Sequence, residues 1–126
     1  MDLLGIKIIA VNKTNAIISL EVTDSIKQPY GVVHGGINAV LAETAASLGA
    51  NENVPANSHA VGIDISTQHL AAVSRGVLTA TAVPVHTGRK IQTWHVKIKN
   101  NDRLTSTSTV TLLVEKWSVE IAKSTF

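Results

Sequence analysis

The sequence predicts an α+β fold, an antiparallel sheet with one helix packed on a face of it. Short runs with a period of two flank a single segment whose apolar residues recur at helical spacing. The order of elements is two strands, one helix, then four strands, and the short links among the last four suit an antiparallel meander. The 126 residues, 44% hydrophobic and 16% charged, fit one compact domain with a real core, expected over 1–126 with 115–126 an unassigned tail.

Residues 5–12 (GIKIIAVN) and 16–23 (AIISLEVT) read as strands joined by the polar turn NKTN. In the second, Ile18, Leu20 and Val22 alternate with Ser19, Glu21 and Thr23, which gives one apolar face. DSIKQPYGVVH is loop-like, broken by Pro29 and Gly31. From Gly35 to about Asn51 the period changes: Ile37, Val40, Leu41, Thr44 and Leu48 define the expected core stripe, and five alanines favour helix. ENVPANS closes that helix. Four strand-like runs follow at about 59–68, 76–86, 90–99 and 103–114, and in the first Val61, Ile63 and Ile65 are expected on one face. HTGRK and NND between the later runs read as hairpin turns.

Composition narrows the chemistry. With no cysteine there are no disulfides and no thiolate metal sites, and the five histidines are not grouped at metal-ligand spacing. The start MDLLGIKII lacks a basic region ahead of a long apolar run, and no apolar stretch approaches the ~20 residues a membrane helix needs. The expectation is a soluble, cytoplasmic protein without a membrane partner. A net charge of +2 from scattered basic residues gives no prompt for a nucleic-acid partner, although a small basic cluster could hold a phosphorylated small molecule.

Glu43 is the one carboxylate in the helix. It lies roughly 240° around from Ile37, off the expected core stripe. Ser47 is one turn further on, and Gly36 two turns back. Alanines 39, 42, 46 and 50 nearby point to a cleft or interface more than to open water. The Gly35–Gly36 pair costs helix propensity, about 1 kcal/mol for each glycine relative to alanine. In return it leaves bare N–H groups at the positive end of the helix dipole, where a carbonyl can be polarised. Read singly, each of these residues also has a structural explanation: a solvated glutamate, a tight loop-to-helix turn, an ordinary serine.

Taken together, KQPYGVVHGG followed by INAVLAETAASLGA resembles the hotdog-fold acyl-CoA thioesterases of the phenylacetate/4-hydroxybenzoyl-CoA type. Within these the pattern is most similar to the 1,4-dihydroxy-2-naphthoyl-CoA thioesterases of menaquinone synthesis. The resemblance runs from about Gly5 to Val114 and includes VGIDISTQHL and PVHTGRKIQTW. It implies a sheet wrapped around a long central helix, and a homodimer that joins two sheets and further assembles as a dimer of dimers. Active sites would lie between subunits, the substrate would be an acyl-CoA, and no metal or redox cofactor would be needed. Residue by residue, it makes Glu43 the catalytic carboxylate, as nucleophile or general base. Gly35 becomes the backbone donor to the thioester carbonyl, Gln28 and His34 orient the thioester, and Ser47 positions water. Gly62 and His69 fall in the substrate and CoA site, and His86, Gly88, Arg89 and Lys90 in the hairpin that meets CoA, with two cations suited to its phosphates. TQHLAAV departs from the pattern, because Ala71 and Ala72 supply no charge where relatives often carry a basic residue. A hotdog hydratase or dehydratase, or a non-catalytic acyl-CoA-binding protein, are the alternative readings.

One geometric expectation follows from the helix alone. Gly35 and Glu43 are about 12 Å apart along the axis at 1.5 Å per residue. One copy cannot easily apply both to one thioester, so Gly35 of one subunit is expected to work with Glu43 of its partner.

Overall fold

The computed structural model describes residues 5–117. Six strands form a single sheet: β1 (Lys7–Asn12), β2 (Asn15–Glu21), β3 (Ser58–His69), β4 (Val77–Thr87), β5 (Ile91–Asn100) and β6 (Arg103–Lys116). Their order across the sheet is β1-β2-β4-β5-β6-β3, with every neighbouring pair antiparallel. One helix, α1 (Gly35–Asn51), packs against it. A single 3-10 turn at Asp24–Ile26 interrupts the loop after β2.

The meander expected of the last four strands is only three strands long. β3 does not pair with β4; it pairs with β6 at the far edge, and β4 lies beside β2. The reason is in the link 70–76. Seven residues of extended chain span over 20 Å, enough to cross three strand spacings of about 4.8 Å. That link is held along its length: Leu70 N–H donates to Thr105 O (2.9 Å), Arg103 Nη2 to Ala72 O (2.8 Å) and Val33 N–H to Val73 O (2.8 Å).

The core stripe of α1 is also rotated from the expected one. Its buried residues are Asn38, Leu41, Ala42, Ala45, Ala46, Gly49 and Ala50, whereas Val40 is 42% exposed. Ala42, Ala46 and Ala50 therefore belong to the core instead of bordering Glu43. The sheet fills the core with its own large side chains, Ile18, Leu20, Leu78, Trp94, Ile98 and Leu112, so the helix face against it must be small. Gly49 shows this most sharply, because a Cβ there would lie 2.5 Å from Cζ3 and Cη2 of Trp94.

The C-terminal carbonyls of α1 find side-chain donors, as a buried helix end requires. Asn51 Nδ2 donates to Ser47 O (2.8 Å), Asn53 Nδ2 to Gly49 O (3.1 Å) and Gln92 Nε2 to Ala50 O (3.0 Å). Asn51 Oδ1 accepts from Ala60 N–H (2.9 Å), which pins the start of β3 to the helix end.

A bulge falls between Gly62 and Asp64 in β3. It turns both Ile63 (54% exposed) and Asp64 away from the helix, so the alternation of Val61, Ile63 and Ile65 does not hold. Gly62 and Ala60 face the helix before the bulge, and Ile65 and His69 after it. Of the tail, Glu115 and Lys116 extend β6, and Trp117 stacks on His59 with ring centroids 3.8 Å apart. Residues 118–126 lie outside the described residues.

Candidate active site

Two clefts flank α1, one near each end. At the helix start, about 360 Å³ of space is bounded by Gln28, Tyr30, Gly35, Asn38, His69 and the link Leu70–Val73. Further along, about 440 Å³ is bounded by Glu43, Thr44, Ser47, Leu48 and the β3 residues Ala60, Val61 and Gly62.

The loop before the helix builds the first cleft. Gly31 N–H donates to Gln28 O (2.9 Å), closing a turn in which Gly31 takes a φ of 89° that favours glycine. Gln28 N–H donates to Val32 O (2.7 Å) and His34 N–H to Ile26 O (3.0 Å), so the chain enters the helix in a fixed direction. The turn holds Gln28 with its Oε1 buried and unpartnered among the described residues. His34 is the N-cap residue, but its side chain makes no capping hydrogen bond; it is exposed and does not line the cleft. Among the described residues the Gly35 N–H has no acceptor, as expected of a first helical position. The His69 ring lies against the Cα of Gly35, with Cε1 and Nε2 at 3.1 and 3.2 Å from where a Gly35 Cβ would stand. His69 Nδ1 meets Asn38 Nδ2 at 3.1 Å.

In the second cleft the Glu43 carboxylate leans on β3. Its Oε2 lies 2.7 Å from where a Gly62 Cβ would be, so only glycine lets it rest there. Glu43 is exposed in the single chain, and Ser47, one turn on, is partly buried beside it.

Strand register fixes where the remaining candidates lie. Gly62 is level with Leu112 and Gln92, and His69 with Ser106 and Ile98. Gly62 and His69 are thus about 20 Å apart along β3 at 3.3 Å per residue. The β4–β5 turn, which adjoins Gln92, stands at the Gly62 end. It carries the exposed His86, Arg89 and Lys90. Gly88 is required by the turn itself: its N–H donates to Ile91 O (2.9 Å), and a Cβ would lie 2.6 Å from His86 Nε2.

The fold therefore gathers Gln28, Gly35 and His69 at one place, Glu43, Ser47 and Gly62 at a second, and leaves His34 apart. Sequence reasoning missed Asn38, Tyr30 and the link 70–73. The last of these, with Ala71 and Ala72, is an apolar wall of the first cleft, so uncharged residues have a use there. Asn38 left a faint signal, a poor helix former in the first turn of an alanine-rich helix. His59 and His95 line neither cleft. His59 Nε2 is 3.2 Å from Glu115 Oε1. Among the described residues no three His, Asp or Glu side chains are grouped to hold a metal ion.

The comparison with known families bears on this arrangement directly. A family model described as the thioesterase superfamily matches residues 30–107, from the turn before the helix into β6. The 1,4-dihydroxy-2-naphthoyl-CoA hydrolase of Listeria monocytogenes is 40% identical over 116 residues, spanning 91% of this chain and 94% of that protein. The chain belongs to the thioesterase superfamily. Solved structures of thioesterases agree. One from Haemophilus influenzae superposes with a TM-score of 0.85 at 37% identity, covering 90% of this chain and 80% of its own. One from Staphylococcus aureus reaches 0.87 at 30%, covering 90% and 96%. The fold is accordingly the hotdog of this superfamily, and the protein is a thioester hydrolase.

Proposed function

We propose that this thioesterase hydrolyses acyl-CoA esters at sites formed between two subunits, with Glu43 as the catalytic carboxylate. The observation that carries the reading is the separation of the clefts. Gly35, whose N–H has no acceptor among the described residues, lines one cleft and Glu43 the other, about 12 Å apart along one helix and too far to act on one thioester in one chain. β3 supplies the remedy. It is an edge strand of twelve residues, a ready template for a second copy. Antiparallel pairing of two β3 edges about Ile65–Ser66 would place Gly62 opposite the partner's His69, one strand spacing of about 4.8 Å away. The Glu43 cleft of one subunit would then join the Gly35 cleft of the other. A further pairing of such dimers is consistent with the exposed apolar residues on the sheet, Val83 and Val85 among them.

Within that site the Gly35 N–H, at the positive end of the helix dipole, polarises the thioester carbonyl. Glu43 attacks the carbonyl carbon or takes a proton from an attacking water held beside Ser47. Either route breaks the C–S bond, consumes one water, and yields the acid and the CoA thiol. Carboxylate, backbone donor and water complete this balance without a metal or redox cofactor. Gln28 orients the thioester from the loop, and His34, at the N-cap, approaches only from the rim. Arg89 and Lys90, on the Gly62 end, face the CoA phosphates. The apolar wall at 70–73 with Tyr30 receives the acyl group. The similarity to the Listeria enzyme makes 1,4-dihydroxy-2-naphthoyl-CoA of menaquinone synthesis, in the cytoplasm, the leading substrate.

The test is Glu43→Gln, followed by thiol release from a panel of aryl- and alkyl-CoA esters. The expected result is a loss of kcat by about 10² or more with unchanged folding and assembly. Near wild-type turnover in this variant would remove Glu43 from the chemistry.

A further inference from the structure

His69 ends β3 with its ring lying over Gly35. The Nδ1 of that ring is 3.1 Å from Asn38 Nδ2. An amide nitrogen can only donate, so Nδ1 is the acceptor, and a neutral ring then carries its proton on Nε2. Asn38 is 9% exposed and stands one turn into α1 from Gly35. Its Oδ1 is buried without a partner, so the contact with His69 is its one hydrogen bond among the described residues. Asparagine is a poor helix former, and alanine occupies most of the same buried face. Neither propensity nor packing asks for an amide there.

We infer that Asn38 is a positioning residue for thioester hydrolysis. By donating to His69 Nδ1 it holds the imidazole as the Nε2–H tautomer over Gly35. There the ring N–H and the Gly35 N–H form a pair of donors for the thioester oxygen. This rests on the reading of Gly35 as the helix-terminal donor. With the opposite tautomer the ring would turn a lone pair toward the developing oxyanion and oppose the charge it should stabilise. The contact also accounts for the glycine at 35: any larger residue would push on the ring that Asn38 orients.

The tautomer can be read without turnover, from long-range nitrogen–proton correlations of the full-length protein carrying ¹⁵N-histidine. Wild type should show His69 protonated on Nε2. Asn38→Asp is nearly isosteric but can only accept, so it should move the proton to Nδ1 and lower kcat by about 10²-fold, as loss of an oxyanion donor does. KM should change little. Asn38→Ala should lower kcat less, because it releases the ring without reversing it. In a His69→Ala background, Asn38→Asp should have no further effect on kcat. A wild-type ring protonated on Nδ1, or an Asn38→Asp effect that persists without His69, would overturn the inference. Thiol release combined with a Nδ1–H ring overturns this inference alone. An Nε2–H ring with no thiol release from any ester tested overturns the thioesterase reading on which it rests, and the inference with it.

Discussion

Gly62→Ala separates fold from chemistry more cleanly than any substitution of Glu43 itself. The added Cβ would lie 2.7 Å from Glu43 Oε2, 3.4 Å from Cδ and 3.6 Å from Cγ, so only the carboxylate oxygen collides. Ordinary contact begins at 3.4 Å, and the oxygen must therefore retreat by about 0.7 Å. Glu43 is exposed and can do this by rotating, at little cost to the fold. Alanine in place of a strand glycine also restricts the unfolded chain, which stabilises by about 0.5–1 kcal/mol. Stability should hold or rise, with a melting temperature up by a few degrees at most. Activity should fall. A displacement of 1 Å at a reacting group can cost about 10²-fold, so kcat is expected to drop roughly 10- to 100-fold. The assay is continuous thiol release, paired with a thermal melt followed by circular dichroism. A second arm places Gly62→Ala in the Glu43→Gln background, where the shift of an already disabled side chain should change nothing. Turnover within about twofold of wild type, or a further loss in the Glu43→Gln background, would refute the idea that Gly62 acts by setting the carboxylate's position.

Other consequences are independent of that one. Gly49→Ala forces a Cβ to within 2.5 Å of the fully buried Trp94, and overpacking of about 1–3 kcal/mol should outweigh the ~1 kcal/mol gain in helix propensity. Its melting temperature should fall by about 5 °C, while kcat at a temperature where it remains folded should match wild type. Subunit mixing tests the shared site. Gly35→Val, which crowds His69, and Glu43→Gln should each be nearly inactive, yet co-refolding them in equal amounts should restore about a quarter of the wild-type sites, those in heterodimers with both partners intact. Activity no higher than that of the parents would place both groups in one chain's site.

Local chemistry was the legible part of this fold. Both ends of α1 are marked in the sequence, by His-Gly-Gly at the start and by Asn51 before the ENVPANS loop, and the structure puts the helix at Gly35–Asn51. The turns between β1 and β2, β4 and β5, and β5 and β6 fall where Asn, Gly and Asp predicted them, because turn conformations depend on a few adjacent residues. What was not legible depends on partners distant in sequence. The length of a link does not say which strand lies at its far end, and so a meander sets β3 beside β4 whereas the structure sets it beside β6. The bulge at Ile63 likewise reflects pairing with β6, and it changes which side chains of β3 face the helix. The helix stripe differs from the hydrophobic pattern for a related reason. Ranking by hydrophobicity picks out Ile37 and Val40, but the sheet already fills the core with Trp94, Ile98 and Leu112, and the space left to the helix is alanine-sized.

The candidate site shows the same division. Glycines were visible as punctuation, but what each approaches was not. Gly35 lies under an imidazole 34 positions away in the chain, Gly49 under an indole, and Gly62 against a carboxylate. Asn38 became a candidate only when its amide met His69. These contacts share a cause. A helix crossing a sheet meets different side chains along its length, so each turn of α1 has its own partner: His69 at the end of β3 at the first, β3 near Gly62 further on, and Trp94 and Gln92 of β5 near the last.

That arrangement gives a physical reason for the proposed division of the chemistry between subunits. The proposed site uses a backbone N–H as a donor to the thioester, and a helix leaves such groups unpaired only in its first turn. A carboxylate in the same turn would lie against those N–H groups and be stabilised by them, competing with the substrate oxygen for the same donors. Setting Glu43 eight residues on removes that competition, since the dipole's effect fades within the first turn, but it also takes Glu43 out of reach of a thioester held at Gly35. In the proposed dimer, two-fold symmetry about the β3 edges would restore the reach without restoring the competition. The carboxylate approaching each helix start would then arrive from the partner with the substrate carbonyl in between. On this argument, moving the carboxylate to residue 38 or 39 of the same helix could not substitute for dimer formation, because it would quench the donors it was meant to assist.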